Sequence, residues 1–365
     1  MANSNTKAAA IPVWSIVSPM ACWLLLAGLA LGISNTPYRI ALGVGLITAV
    51  FSAVHHAEVV AHRVGEPFGT LVLALAVTLI EVALIVSLML SGGAAASSLA
   101  RDTVFATIMI ILNGLLGLCL LIGGRRFGEQ SFGLHGVSAS LATLAAIVAL
   151  TLVLPNYTST VIGPYYSAGQ LSFVAAVSLI LYATFIFVQT VRHRDYFLPI
   201  GALPDQETHA APPGNPVAIA SAALLLVCLA AVVVSAESLA PAVEAAVHTA
   251  GAPKALVGII VSSIVLMPEG YAAVRAARSN RLQTSLNLTL GSALASIGFT
   301  IPAVAIFSVL TGSKLMLGLD PKETILLVLS LFVATLSLST GRTTVLQGTV
   351  HLVIFAVYLF TVVIP

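Results

Sequence analysis

LALAVTLIEVALIVSLML, Leu73 to Leu90, is almost unbroken hydrocarbon with one carboxylate, Glu81, near its middle. A run of this length crosses a bilayer as a helix, because a hydrocarbon core of roughly 30 Å needs about 20 residues at 1.5 Å each. Lipid cannot solvate the acid, so something else must neutralise it.

The rest of the chain repeats the pattern. Its 365 residues are 59% apolar and 8% charged, in apolar blocks separated by short polar breaks. Such a composition belongs to an all-α polytopic membrane protein. The formal net charge is +2 and the few basic residues sit in the breaks, so there is no basic surface of the size a nucleic acid needs. Cys22, Cys119 and Cys228 stand alone within apolar blocks, without CxxC spacing, and read as small core residues.

The sequence predicts eleven transmembrane helices, at roughly 17–34, 39–63, 68–91, 103–123, 137–154, 170–191, 217–249, 255–277, 284–310, 323–340 and 344–364. The segment before the first contains only one basic residue, Lys7, which favours an uncleaved leading helix over a signal peptide. The seventh is long for a single span and contains Pro241, which predicts tilt or a kink. The longest hydrophilic break, Arg192 to Pro216, is proline-rich and reads as a linker. The domain reading is therefore 1–34 for the N-terminal segment and leading helix, 35–191 for a first set of five helices, 192–216 for the linker and 217–365 for a second set of five.

On one side the breaks carry Lys7, Arg63, Arg125, Arg126, Arg192, Arg194, Arg275, Arg278, Arg281 and Arg342; on the other, Arg39, Arg101, Lys254, Lys314 and Lys322. This bias predicts a cytoplasmic N-terminus and central linker with the C-terminus outside. Since five is odd, the second set of helices enters from the opposite face, and two related sets would form an inverted repeat. The acids fit that pattern. Glu58 lies late in the second helix and Glu237 late in the seventh, while Glu81 and Glu269 lie near the middle of the third and eighth.

A charge at mid-bilayer costs about 2.5 to 3.5 kcal/mol on insertion scales. Only Arg63 can reach back towards one of these acids, Glu58. Glu81 and Glu269 are left to be neutralised by a proton or by a mobile cation, and a site that accepts either is an exchanger. A single such acid has a simpler reading, as a permanently protonated group bonded to a nearby hydroxyl such as Thr78; four acids in a two-fold pattern fit that reading less well.

The surroundings of Glu269, VGIIVSSIVLMPEGYAAV, add oxygen donors. Pro268 has no amide hydrogen, so the Ile264 carbonyl loses its helical partner beside a carboxylate, a hard-cation ligand pair; a plain proline kink is the bland alternative. The ninth helix lines up Asn287, Gly291, Ala295 and Gly298 on a small-residue face, with Ser292 and Ser296 beside it. Packing accounts for the glycines, while Asn287 and Ser292 are candidate site lining. Asn113 belongs to the LNG at Leu112 to Gly114, which in the first set stands where the second has LGS at Leu290 to Ser292. His55, Glu58 and His62 share one helical face and have zinc-ligand chemistry, but there is no HExxH, and the histidines suit proton relay equally well.

AEVVAHRVGEPFGTLVLALAVTLIEVALI, Ala57 to Ile85, and LVGIIVSSIVLMPEGYAAVRAARSNRLQTSLNLTLGSALASIGF, Leu256 to Phe299, resemble the two alpha-repeats of the calcium:cation antiporter superfamily, most closely the bacterial ChaA-type calcium/proton antiporters. VRHRDYFLP, Val191 to Pro199, is similar to that family too. The resemblance implies ten core helices in inverted repeats behind one leading helix, with Glu81 and Glu269 as the central cation ligands and Glu58 and Glu237 as flanking acids on proton or cation access routes. Related exchangers often carry an asparagine in the turn before the repeat glutamate. Here the residues are VTLIE and LMPE, which leaves coordination to carbonyls, hydroxyls and water.

The expected function is secondary active antiport at the bacterial inner membrane, exporting Ca²⁺ against inward proton flow by alternating access around Glu81 and Glu269. Na⁺/H⁺ or K⁺/H⁺ exchange is the alternative, and a passive cation channel a more distant one. No cofactor is expected beyond the transported ions, and the lipid bilayer is the expected partner. An intramembrane hydrolase would need a nucleophile and base at recognisable spacing, and none is present.

Overall fold

The computed structural model describes residues 11–65, 68–92, 97–198, 213–251, 253 and 255–364. Lys7 and most of the predicted linker, 199–212, lie outside the described residues. The helices are α1 (Val13–Ala30), α2 (Thr36–Val64), α3 (Phe68–Gly92), α4 (Leu99–Met109) running through a π-helical turn (Ile110–Leu115) into α5 (Leu116–Phe127), α6 (Leu134–Val148), α7 (Ala168–Phe187), α8 (Asn215–Thr249), α9 (Ala255–Arg278), α10 (Leu282–Thr311), α11 (Pro321–Leu338) and α12 (Val345–Val363). Since α4 and α5 form one continuous span, these are the eleven expected transmembrane helices. Among the described residues ten of the spans are long and apolar enough to cross a membrane, and α3, the remaining one, is 25 residues long. Polar caps mark where several begin. Asn35 accepts the Tyr38 amide at the start of α2, and Ser167 and Gln170 form a reciprocal capping box at the start of α7.

The long seventh span is α8, 35 residues with Pro241 inside it, or about 52 Å at 1.5 Å per residue. That exceeds a bilayer core of roughly 30 Å, as its sequence predicts.

Two compact units emerge. One combines the chain up to Ile80 with Pro204–Val243. In it a buried seam of small polar groups joins α1, α2 and α8: Cys22 Sγ to Ser235 Oγ at 3.1 Å, Ser52 Oγ to the Ser15 carbonyl at 2.6 Å and to Cys228 Sγ at 3.4 Å, and the His56 ring to the same Ser15 carbonyl at 3.1 Å. All three cysteines of the chain are free and buried.

The second unit comprises Glu81–Leu203 and Glu244–Pro365. Its connecting loops show the inverted repeat directly. The loop after the third helix of the first repeat, strand β1 (Gln130–Ser131), pairs antiparallel with the loop before the last helix of the second repeat, strand β2 (Arg342–Thr343). The counterpart contact is an antiparallel bridge from Tyr165, before the last helix of the first repeat, to Met316, after the third helix of the second. The starts of the third helices repeat the relation: Arg101 donates to the Gly318 carbonyl at 3.0 Å, and Gln283 accepts the Gly133 amide at 2.6 Å. Two loop pairs built from exchanged positions of the repeats are what an internal two-fold axis requires.

One placement corrects the sequence reading. Arg101 was expected in a polar break, yet α4 begins at Leu99, so Arg101 falls in its first turn and is 7% exposed. Its charge is tolerated there because Asp102 lies 2.8 Å away and the Gly318 carbonyl takes a further hydrogen bond.

Candidate functional site

Glu81 sits on α3 and is 5% exposed. Facing it is Ser296 of α10, whose hydroxyl lies 2.6 Å from one carboxyl oxygen and 2.7 Å from the other. One hydroxyl carries one hydrogen, so Ser296 meets the carboxyl group edge-on and shares that hydrogen between both oxygens. Thr107 of α4 also reaches the Glu81 carboxyl.

Thr107 is not a simple donor. Its hydroxyl lies 3.0 Å from Ser262 Oγ on α9, and Ser262 in turn donates to the Thr103 carbonyl at 3.0 Å. A carbonyl only accepts, so the Ser262 hydrogen is spent there and the Thr107 hydrogen goes to Ser262. In that state Thr107 offers Glu81 a lone pair, which matches a protonated acid. If Thr107 turns its hydrogen to Glu81 instead, it matches an ionised one. Gly258, one turn before Ser262, lies close against α4: a β-carbon there would meet the backbone of Asp102 and Thr103 at 3.3 to 3.5 Å.

Glu269 lies on α9 directly after Pro268, within a helix that runs through the proline to Arg278. Its residue is half-buried, but Oε2 is enclosed and has no hydrogen-bond partner among the described residues. The Ser292 hydroxyl is close by, and Glu269 feels the charge of Glu81. Ser292 and Ser296 are one turn apart on α10, so a single helix supplies a hydroxyl to each acid. Like charge on the two carboxylates disfavours having both ionised unless a proton or a cation intervenes.

The remaining candidates fall elsewhere or to one side. Thr78 lies one turn before Glu81 and is buried, and Ile264 lies one turn before Pro268. Asn113 sits in the π-helical turn, where its amide donates to Ser330 at 2.8 Å and its oxygen faces the buried His351 ring at 3.3 Å. Asn287 donates to the Phe197 carbonyl at 2.6 Å and accepts from Gln283 at 3.0 Å. Both amides thus have their oxygen and nitrogen engaged away from the two acids. Glu58 and Glu237 both belong to the first unit and are exposed on α2 and α8. The zinc reading of His55, Glu58 and His62 finds no support: among the described residues no three such ligands converge, and the His55 ring lies tilted against Trp14 at 5.3 Å. Thr107 and Ser262 escaped the sequence reading, their only signal being hydroxyls at buried positions of otherwise apolar helices.

The profile of the sodium/calcium exchanger protein family matches residues 35–191 and 220–364, which takes in both repeats. The chain belongs to that family. As a family member it is a polytopic transporter that moves cations by secondary active exchange, and it is not an enzyme. The exchanger is 49% identical over 99% of both chains to a protein of Sinorhizobium fredii named as an ionic transporter, y4hA. It is 37% identical over 87% of both chains to the sodium-potassium/proton antiporter ChaA of Escherichia coli. Its fold matches that of a solved H⁺/Ca²⁺ exchanger, CAX, with a TM-score of 0.72 over 95% of this chain and 87% of that one, at 16% identity.

Ser296→Ala tests the hydroxyl's part. A hydrogen bond to a charged group contributes about 1.5 to 3 kcal/mol, so the variant should weaken apparent cation affinity roughly 10- to 100-fold. Ser296→Thr, which keeps a hydroxyl, should recover most of the loss. The cation-concentration dependence of exchange measures both, and unchanged affinity in the alanine variant would remove Ser296 from the site.

Proposed function

We propose that this protein exchanges a monovalent cation, Na⁺ or K⁺, for protons at a bacterial cytoplasmic membrane, with Glu81 and Glu269 as the groups for which cation and proton compete. The observation that carries the reading is the enclosed pair of carboxyl groups with hydroxyls as their polar neighbours. The 37% identity to a sodium-potassium/proton antiporter supports the choice of ions. The donor set supports it as well. Ca²⁺ takes six to eight oxygens, whereas here the asparagine amides are engaged elsewhere and the neighbouring hydroxyls are few.

In this mechanism the unloaded site holds its acids protonated, with the Thr107 hydrogen on Ser262. A cation approaching Glu81 and Glu269 displaces a proton, and Thr107 turns its hydrogen to the ionised Glu81. The freed carbonyl of Ile264 and the Ser292 hydroxyl add oxygens on the Glu269 side. Alternating access then exposes the loaded site to the other face, with Glu58 and Glu237 as flanking acids on the access routes. The N-terminus and linker lie on the cytoplasmic side, following the arginine bias.

Ca²⁺/H⁺ exchange is the second reading, favoured by the formal charge of −2 that two ionised carboxylates present to a divalent ion. Proteoliposomes with an imposed pH gradient distinguish the two. Na⁺ or K⁺ should collapse the gradient with saturable kinetics and Ca²⁺ should not. Dissipation by Ca²⁺ alone would reverse the assignment, and cation flux uncoupled from protons would point to a channel.

A further inference from the structure

Within the second unit, a groove of about 540 Å³ runs along the outer side of α9 where it meets the π-helical turn and α5. The volume falls among ligand-sized clefts, roughly 300 to 1,000 Å³. Ile110, Leu115, Leu118, Met267 and Tyr271 make most of it apolar, but it ends at two guanidinium groups, Arg275 and Arg278. Met267, Tyr271, Arg275 and Arg278 follow one another at spacings of four, four and three, so a single face of α9 passes from apolar through aromatic to basic.

Neither arginine has a carboxylate within ion-pair distance among the described residues, and both are exposed. An apolar channel lined at one end by two arginines is complementary to an amphiphile with an anionic head. The positive charges also balance the carbonyl end of α9, which by itself would repel an anion.

We propose that this groove is a binding site for an anionic phospholipid, with an acyl chain along Leu115, Leu118 and Met267 and the phosphate on Arg275 and Arg278. The floor of the groove is Gly270, the residue after Glu269. A side chain at position 270 would come within 2.9 Å of Leu115, so α9 and the π-helical turn touch directly there. A lipid in the groove therefore presses on the segment that carries Glu269, and anionic lipid should support exchange as well as bind. The lipid site does not depend on which cation is carried.

Native mass spectrometry of the full-length protein in detergent, titrated with phosphatidylglycerol and with phosphatidylcholine, tests the proposal. Wild type should prefer phosphatidylglycerol by roughly tenfold or more, given two basic contacts at the membrane surface. The double variant Arg275→Gln, Arg278→Gln should lose the preference while still retaining phosphatidylcholine. Leu118→Trp, which fills the groove and leaves the charge alone, should lose it too. Inorganic phosphate in excess should not compete, because it lacks the chain. Equal binding of the two lipids by wild type would overturn the site. So would a preference that survives in the double variant, or one kept by Leu118→Trp, which would mean a merely basic surface. Competition by inorganic phosphate would mean an anion site without lipid specificity.

Discussion

Glu81→Gln and Glu269→Gln should each reduce cation/proton exchange by more than a hundredfold while leaving the protein inserted and folded. The amide keeps the size of the side chain and removes the charge for which cation and proton compete. Two unit charges 4 Å apart at an effective dielectric of 20 interact by about 4 kcal/mol, so losing one carboxylate removes enough attraction to account for that factor. Glu81→Gln should fold well, because the amide oxygen can still accept from Ser296. Glu269→Gln can keep its oxygen beside the Ser292 hydroxyl, and its nitrogen takes the place of Oε2, which has no hydrogen-bond partner among the described residues, so it too adds little cost to folding. Proteoliposome exchange with matched amounts of inserted protein measures the loss. Wild-type turnover by either variant would rule out a two-carboxylate site.

The two acids were legible in the sequence for a simple reason: a carboxylate in the middle of a hydrocarbon run is costly, and two at corresponding places in two sets of helices imply a shared purpose. Ser292 and Ser296 were legible as hydroxyls on one face of a helix. What opposes that face was not. Periodicity says which residues share a side, but Ser296 meets Glu81 across 215 positions of sequence, and Thr107 meets Ser262 across 155. Asn113 and Asn287 show the converse. Both had suitable chemistry and position, but Asn113 turns to Ser330 and His351, and Asn287 donates to the Phe197 carbonyl in the segment that follows α7. The π-helical turn at Ile110–Leu115 left no mark that composition can show. Arg101 was misplaced because hydropathy counts its charge and cannot see the Asp102 and Gly318 partners that allow its burial.

Cation binding should release protons, and the number released should identify the cation. If Glu81 and Glu269 serve both ions, protons inhibit cation binding from the same side, and lowering the pH should raise the apparent cation constant until both acids are protonated. A site that begins with both carboxyl groups protonated gives up about one proton to a monovalent ion and about two to Ca²⁺, since each positive charge replaces one proton. The hydroxyl chain supports such a replacement, because Thr107 can face a protonated Glu81 with its lone pair and an ionised one with its hydrogen, at the expense of its bond to Ser262. Thr107→Val should therefore alter the proton count or its pH range without abolishing binding. Calorimetry in buffers of different ionisation enthalpy gives the ratio without a membrane gradient. About one proton per Na⁺ or K⁺ supports monovalent exchange, and about two per Ca²⁺, with no binding of Na⁺ or K⁺, supports the calcium reading. Cation bound with no proton released, at a pH where the empty site is protonated, would mean that the two ions use separate sites.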